Sequence, residues 1–140
     1  MKFEDFIAKG LVKKSSKDVS LAKSLVKTAE SDLRYLKTQT INELSARKIM
    51  VNYYDTLRSI LEAIAIIDGY KIYSHEAFTY LLKDKDEEVI AKKFDRFRNI
   101  RNNINYYGKN ISIEEIKENS EEIIKIIIIL KKKNLDKILN

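Results

Sequence analysis

The stretch "NYYDTLRSILEAIAIIDG", residues 52–69, decides the fold class of this chain. Its apolar residues recur at the spacing of an amphipathic helix, and only one residue between Ile60 and Ile67 is polar. A helix that is apolar on nearly every side must be surrounded by other elements. Gly69 suits a helix C-terminus because glycine readily adopts the left-handed conformation found there. We therefore predict a central, most buried helix that begins at about Asn42 and ends before Gly69.

The segments on either side carry the same helical periodicity. The isoleucine-rich last segment is also compatible with a buried strand, although its length and its capping box of Ser112 and Glu115 favour a helix. Together these segments predict a short first helix before Gly10, helices over about 18–37, 74–83 and 87–107, and a last helix after Ser112, with Asp18 and Ser74 as further N-caps.

Turn-forming residues are scarce, since the chain has no proline and three glycines among its 140 residues. A many-stranded sheet needs such residues in its turns, so the composition argues against one. We expect an all-α fold, an up-and-down bundle of four to five main helices plus the short N-terminal helix. A chain of this length suits one compact core, so residues 1–140 are expected to form a single domain.

Composition also limits the chemistry. The chain has no cysteine, and His75 is its only histidine, so neither thiolate chemistry nor a cysteine or multi-histidine metal site is expected. We accordingly expect no metal and no cofactor. The longest apolar run, "IIKIIIIL" at 123–130, is interrupted by Lys125 and falls short of the roughly 20 residues that span a bilayer. A cytoplasmic protein that does not enter membranes is therefore expected.

The formal net charge is +6 and the isoelectric point is about 9.3. Such a charge attracts polyanions, nucleic acid above all. Lysines are spread over nearly every segment of the chain, however, and a solvated surface accounts for them as readily. Net charge alone therefore does not identify a nucleic-acid-binding face.

An arginine interrupts the apolar side of the penultimate helix, in "FDRFRNIRNNINYYG" at residues 94–108. At 100° per residue, Arg101 falls among the apolar residues that should face the core, while Arg98 and Asn105 lie at the border of this arc. The apolar residues of the arc are Phe94, Phe97, Ile100, Ile104 and Tyr107.

One interpretation of Arg101 is structural. A guanidinium cannot shed its charge by deprotonation, so a partly buried arginine needs anionic or carbonyl partners. The central helix offers Asp55 and Glu62, two turns apart on one side, as supporting carboxylates. In this interpretation the arginine only stabilises the fold or a subunit interface.

The other interpretation is an anion site. Arg98 and Arg101, three residues apart on one helix, would form a two-pronged phosphate clamp. Asn102 and Asn105 would add neutral hydrogen-bond donors and acceptors. The spacing leaves both interpretations open.

The element "RNNINYYG" and the tyrosine-rich central helix resemble the small prokaryotic HEPN-domain proteins, an all-α family, over about residues 1–130. The resemblance implies a homodimer in which both copies of the arginine-containing helix face a shared cleft. In the family this cleft often cleaves RNA without metal, using an arginine and a histidine that are separated by four to six intervening residues. The family's arginine maps to Arg101 and its following asparagine to Asn102.

The histidine of that motif is absent here. Tyr106 stands five residues after Arg101, and a tyrosine with a pKa near 10 is a poor base at neutral pH. His75, at the start of a helix, is interpreted as a partly exposed surface residue unless it lies in the cleft. The residues thus favour binding of RNA or a nucleotide over cleavage.

The resemblance also implies a partner and a modification. The protein would pair with a minimal nucleotidyltransferase in a toxin-antitoxin system, and Tyr106 would be the residue that accepts AMP from it. Two alternatives stay open: a metal-independent endoribonuclease toxin, and a non-catalytic dimerisation adaptor whose arginines only pair with Asp55 and Glu62.

Overall fold

The structure is a computed structural model in which residues 1–139 are described. Those residues form seven helices and one two-stranded antiparallel sheet, which confirms the all-α helical bundle. In chain order the elements are α1 (Phe3–Ala8), β1 (Val12–Lys14), α2 (Val19–Lys37), α3 (Ala46–Asp68), β2 (Tyr70–Ile72), α4 (His75–Asp84), α5 (Glu88–Tyr107), α6 (Ile113–Asn134) and α7 (Asp136–Leu139).

Helix α3 is the centre of the bundle, as its sequence predicts. It packs against α2, α6, α5, α4 and strand β2. Because neighbours surround it, its apolar residues are buried on several sides and join a core cluster that also takes in the apolar faces of the other main helices. The buried apolar set on α3 includes Met50, Tyr53, Tyr54, Leu57, Ile60, Leu61, Ile64 and Ile67.

Local hydrogen bonds explain where the helices begin and end. The Asp18 side chain accepts from the Leu21 amide at 2.9 Å, and the Ser112 hydroxyl accepts from the Glu115 amide at 3.1 Å. Gly69 ends α3 with φ +89, a left-handed conformation that a residue with a Cβ rarely adopts. The predicted boundaries of α2, α3 and α6 at these residues are confirmed.

Helix α3 begins at Ala46, four residues later than predicted. The Asn42 side chain accepts from the amides of Leu44 and Ser45 at 2.9 and 3.0 Å, which makes a side-chain-stabilised turn instead of a helical one. Leu44 falls within the predicted helix but lies in this turn and is 91% exposed, so it takes no part in the core.

The small sheet was not predicted from the sequence. Strands β1 and β2 pair with Lys13 opposite Lys71 and Val12 opposite Ile72. Val12 is buried, whereas Lys13 and Lys71 are exposed. Each strand has three residues, too few for an alternating pattern to stand out, so only the folded chain brings them together.

The last turn of α5 also departs from expectation. Phe94, Phe97 and Ile104 are buried, but Tyr107 is 74% exposed. Residues 105–107 are all exposed, so nothing covers the apolar arc at this end of the helix. Helical periodicity predicts the side of the helix on which a residue lies, but it does not predict how far along the helix the neighbouring elements extend.

No helix within residues 1–139 combines the length and the apolar content that crossing a bilayer requires.

Candidate anion-binding site between α3, α4 and α5

Aromatic packing forms the base of the candidate site. The Tyr54 ring of α3 stacks on the Phe94 ring of α5, with centroids 5.5 Å apart and an angle of 22° between the planes. Phe78 of α4 meets Phe94 edge-on at 6.2 Å. All three side chains are buried, so they hold the three helices at a fixed spacing. Arginines and a histidine surround this base.

Arg101 lies half-buried between two tyrosine rings. Its guanidinium carbon is 5.6 Å from the centroid of Tyr54 and 5.9 Å from that of Tyr106. Its Nη1 donates to the Asn102 side-chain oxygen at 3.2 Å. No carboxylate of residues 1–139 lies within ion-pair distance of it. Arg101 therefore keeps its charge with only neutral partners.

The expected supporting carboxylates are placed differently. Glu62 pairs with Arg58 of its own helix at 2.6 Å. Asp55 makes no ion pair with the described residues, and burial raises its pKa although Arg58 and Arg101 act in the opposite direction. Asp55 lines a cavity of about 290 Å³ together with residues of α2. The structural interpretation, in which Asp55 and Glu62 bind Arg101, is not what the folded chain shows.

Arg98 is paired with a carboxylate that the sequence argument overlooked. Its Nη2 donates to Asp95 at 2.7 Å, and the Thr79 hydroxyl donates to the same oxygen at 3.3 Å. Asp95 stands three residues before Arg98 on one helix, a spacing at which side chains meet, so the sequence did contain the signal. Arg98 is thus partly neutralised and Arg101 is not.

His75 belongs to the same cluster. Its Nδ1 shares a hydrogen bond of 3.0 Å with the Tyr54 hydroxyl. Burial lowers the pKa of His75 to about 4, and the positive charges of Arg58, Arg101 and Arg98 act in the same direction. His75 is partly exposed, as expected, but it lies in the cluster, where its imidazole is neutral at pH 7 beside three arginines.

Tyr54 stays protonated next to it. Burial raises the pKa of Tyr54 to about 12, although Arg101 acts in the opposite direction. Tyr54 and His75 are 21 residues apart in the chain, and no spacing rule connects them. Only the packing of α4 on α5 and α3 brings the imidazole to the arginines.

Hydrogen-bond donors outnumber acceptors in this cluster. The Nε atoms of Arg58, Arg98 and Arg101 are buried and have no acceptor among the described residues. Native proteins rarely leave buried donors unpaired, so such a group calls for a functional or structural explanation. Because three such buried donors lie in one site, the site favours binding of a ligand that brings hydrogen-bond acceptors.

Some of the remaining predicted residues lie in the site, and others are exposed to solvent. Asn102 is half-buried and contacts Arg101, whereas Asn105 is exposed on the last turn of α5. Tyr106 is 68% exposed, with its ring beside Arg101. The structure therefore brings Arg98, Arg101 and Asn102 together with Arg58 and His75, which were not expected there, and leaves Asn105 at the margin.

Within residues 1–139, no group of three or more histidine and carboxylate side chains is arranged to hold a metal ion. The cluster provides positively charged guanidinium groups, hydrogen-bond donors and one neutral imidazole.

Neither protein-family models, nor curated proteins, nor solved structures give a match to this chain. The resemblance to HEPN-domain proteins therefore rests on the residues quoted above and stays a prediction.

Proposed function

We propose that this protein is a HEPN-like homodimer that binds RNA or a nucleotide through the Arg/Asn cleft between α3, α4 and α5. One observation carries the proposal: Arg101 is half-buried and has only neutral partners within residues 1–139, while two further arginines stand near it. A charge that cannot be neutralised by deprotonation is stable in such a place when an anion binds to it.

The donor geometry favours phosphate over a single carboxylate. A phosphate group has several acceptor oxygens and can take hydrogen bonds from more than one guanidinium at once. Arg58 and Arg98 each form an ion pair with one carboxylate, whereas Arg101 forms none with residues 1–139. Arg101 is therefore the main phosphate ligand in the proposal, with Asn102 holding its guanidinium in place.

The exposed tyrosine supports a nucleotide over inorganic phosphate. Tyr106 lies against Arg101 and leaves 68% of its surface to solvent. Aromatic rings beside a phosphate-binding cation are the usual surface on which unpaired bases stack. A base attached to the phosphate held by Arg101 would have such a ring within reach.

The homodimer and the partner enzyme come from the family resemblance. A two-fold dimer would place two copies of α5 at one cleft. A minimal nucleotidyltransferase would be the toxin-antitoxin partner, and Tyr106 its acceptor for AMP. The exposure of the Tyr106 side chain supports this last point, because a modified hydroxyl must be reachable by the partner enzyme.

A direct binding test follows. Uridine 5′-diphosphate and a short unstructured RNA would be titrated into the wild type and into Arg101→Ala by calorimetry. Loss of a charged hydrogen-bonding partner is expected to weaken binding by about 1–3 kcal/mol. Arg47→Ala, an exposed arginine at the start of α3, is the matched control and should bind like the wild type. Equal losses in both variants would contradict the site.

A metal-independent ribonuclease is the second candidate, and the position of His75 favours it. RNA cleavage needs a base for the ribose 2′-hydroxyl and cations for the charge that develops on the phosphorus oxygens. A neutral imidazole can accept the proton, and the arginines can stabilise the charge. The low pKa of His75 makes it a weak base, however, so slow cleavage is expected.

Two substitutions separate binding from cleavage. His75→Asn should abolish any cleavage and leave RNA binding largely intact. Tyr106→His restores the family's spacing of arginine and histidine and should raise cleavage if the missing histidine limits it. Cleavage by the wild type that survives His75→Asn would rule His75 out as the base.

A further inference from the structure

A second basic surface lies beside the candidate site, on the two-stranded sheet. Lys13 and Lys71 are directly opposite each other in the register of β1 and β2. Both ammonium groups lie 5.6 Å from the centre of one ring, that of Tyr73. Like charges directly opposite each other destabilise a sheet. The Tyr73 ring that both cations face offsets part of this repulsion, and the two exposed ammonium groups remain open to an anionic ligand.

The lysines around this pair extend the surface. Residues 9–17 and 69–75 contain five lysines and no aspartate or glutamate. None of the five makes an ion pair with the described residues. We call these five lysines the lysine ribbon: Lys13 and Lys71 share one face of the sheet, Lys14 belongs to the other face, and Lys9 and Lys17 flank strand β1 in the chain.

The five ribbon lysines are comparable in number to the protein's net charge of +6. The chain has 27 lysines and arginines against 21 carboxylates. Without the five ribbon lysines, 22 of those 27 cations would face the 21 carboxylates, which is close to neutrality. The same remainder would follow from removing any five cations, so what distinguishes the ribbon is that its two segments, residues 9–17 and 69–75, contain no carboxylate.

The ribbon leads directly to the arginine cluster. Tyr73 precedes His75 by two residues, and Ser74 between them is extended, with φ −121 and ψ 125. Two extended residues span at most about 7 Å. The Arg101 guanidinium lies at most about 11.5 Å from the His75 ring, so a ligand held at Arg101 would pass His75 before it reached the segment next to Lys71 and Lys13.

From this arrangement we infer that the ligand is a strand of several nucleotides, whose phosphates continue from the arginine cluster onto the lysine ribbon. The inference rests on the proposed function and names its ligand class, because a mononucleotide cannot contact both surfaces. An RNA strand carries regularly spaced phosphates, and placing one between Lys13 and Lys71 would relieve their mutual repulsion.

The test compares ligand lengths. A fluorescein-labelled oligouridylate of about ten nucleotides would be followed by anisotropy, and uridine 5′-diphosphate by calorimetry, with the full chain. We expect the oligomer to bind the wild type at least tenfold more tightly than the diphosphate. For Lys13→Ala/Lys71→Ala, we expect oligomer binding to weaken about 10- to 30-fold at 0.1 M salt and the slope against log salt to fall by about 1.4. Diphosphate binding should stay within twofold.

The chain offers a matched control. Lys83 is exposed, and its ammonium lies 4.8 Å from the centre of another tyrosine ring, that of Tyr80. Lys83→Ala should leave both affinities unchanged. The double variant should melt close to the wild type, because the like-charge repulsion and the two exposed cation–π contacts that it removes act in opposite directions. A polyglutamate peptide of similar charge should not displace the RNA at matched concentration.

The outcomes separate the two claims. Two results would contradict the role of the lysine ribbon and leave the proposed function standing. One is diphosphate binding with no tighter binding of the oligomer, and the other is an unchanged oligomer affinity in the double variant. Equal losses in Lys83→Ala, or displacement by polyglutamate, would show a general attraction for polyanions and would also overturn it. If neither probe binds the wild type, the proposed function fails and the ribbon's role fails with it.

Discussion

The positive charge of Arg101 should be measurable at the imidazole of His75. Replacing Arg101 by methionine removes the charge and keeps much of the apolar stem. The guanidinium carbon is 5.6 Å from the Tyr54 ring centre, which is 5.9 Å from the His75 ring centre. The charge and the imidazole are thus at most about 11.5 Å apart, the sum of these two distances.

Because this separation is an upper limit, it gives the smallest effect expected at a given dielectric constant. At 11.5 Å, two unit charges interact by about 1.4 kcal/mol at an effective dielectric constant of 20, or about one pKa unit. In bulk water the same pair would interact by about 0.4 kcal/mol, or about 0.3 unit. Removal of the positive charge favours the protonated imidazole. In Arg101→Met the pKa of His75 should therefore rise from about 4 by roughly 0.3 to 1 unit.

Proton NMR measures this directly, because the chain has one histidine and hence one imidazole C2–H signal. Arg47→Met, an exposed arginine on the first turn of α3, is the control and should leave the pKa unchanged. Added inorganic phosphate should raise the pKa of His75 in the wild type, and less so in Arg101→Met. A wild-type imidazole that titrates near 6.5, or equal shifts in both variants, would refute the reasoning about the cluster.

Three further predictions concern assembly and stability. Light scattering at tens of micromolar should give the mass of a dimer, and a monomer at all salt concentrations would remove the shared cleft. His75→Asn should reduce acid destabilisation: the unfolded histidine, with a pKa near 6.5, binds more protons than the folded one, so wild-type stability falls as the pH drops from 6.5 towards 4. Urea titrations at pH 7 and pH 5 check this, and identical pH dependence in both proteins would contradict it. Ile123→Ala should cost about 2–5 kcal/mol in urea unfolding because Ile123 is fully buried, and a loss below about 1 kcal/mol would show that this side of α6 is loosely packed.

Much of the fold could be predicted because helix signals are local. The apolar period of α3, the cap at Asp18 and the glycine at position 69 act within a few residues of the chain, and the structure has all three as expected. The sheet could not be predicted in this way. Lys13 and Lys71 are 58 positions apart, and their pairing depends on how α2 and α3 bring the two strands together.

The candidate site, like the fold, could be predicted only in part from the sequence. Arg98, Arg101 and Asn102 share one helix, and their common side could be predicted from a period of 3.6 residues. Their partners could not, because partners are chosen by packing. Glu62 pairs with Arg58 instead of Arg101, because Arg58 is one turn away from Glu62 on the same helix.

The sequence by itself determined that the chain is a helical bundle around α3 and that one arginine lies among the apolar residues of α5. Periodicity and capping suffice for this because each reports on neighbours in the chain. Only the tertiary structure decided that His75 lies among the arginines and that Arg101 has no carboxylate partner within residues 1–139. Electrostatic environment depends on distances through space, and these are set when α3, α4 and α5 pack around Tyr54, Phe78 and Phe94.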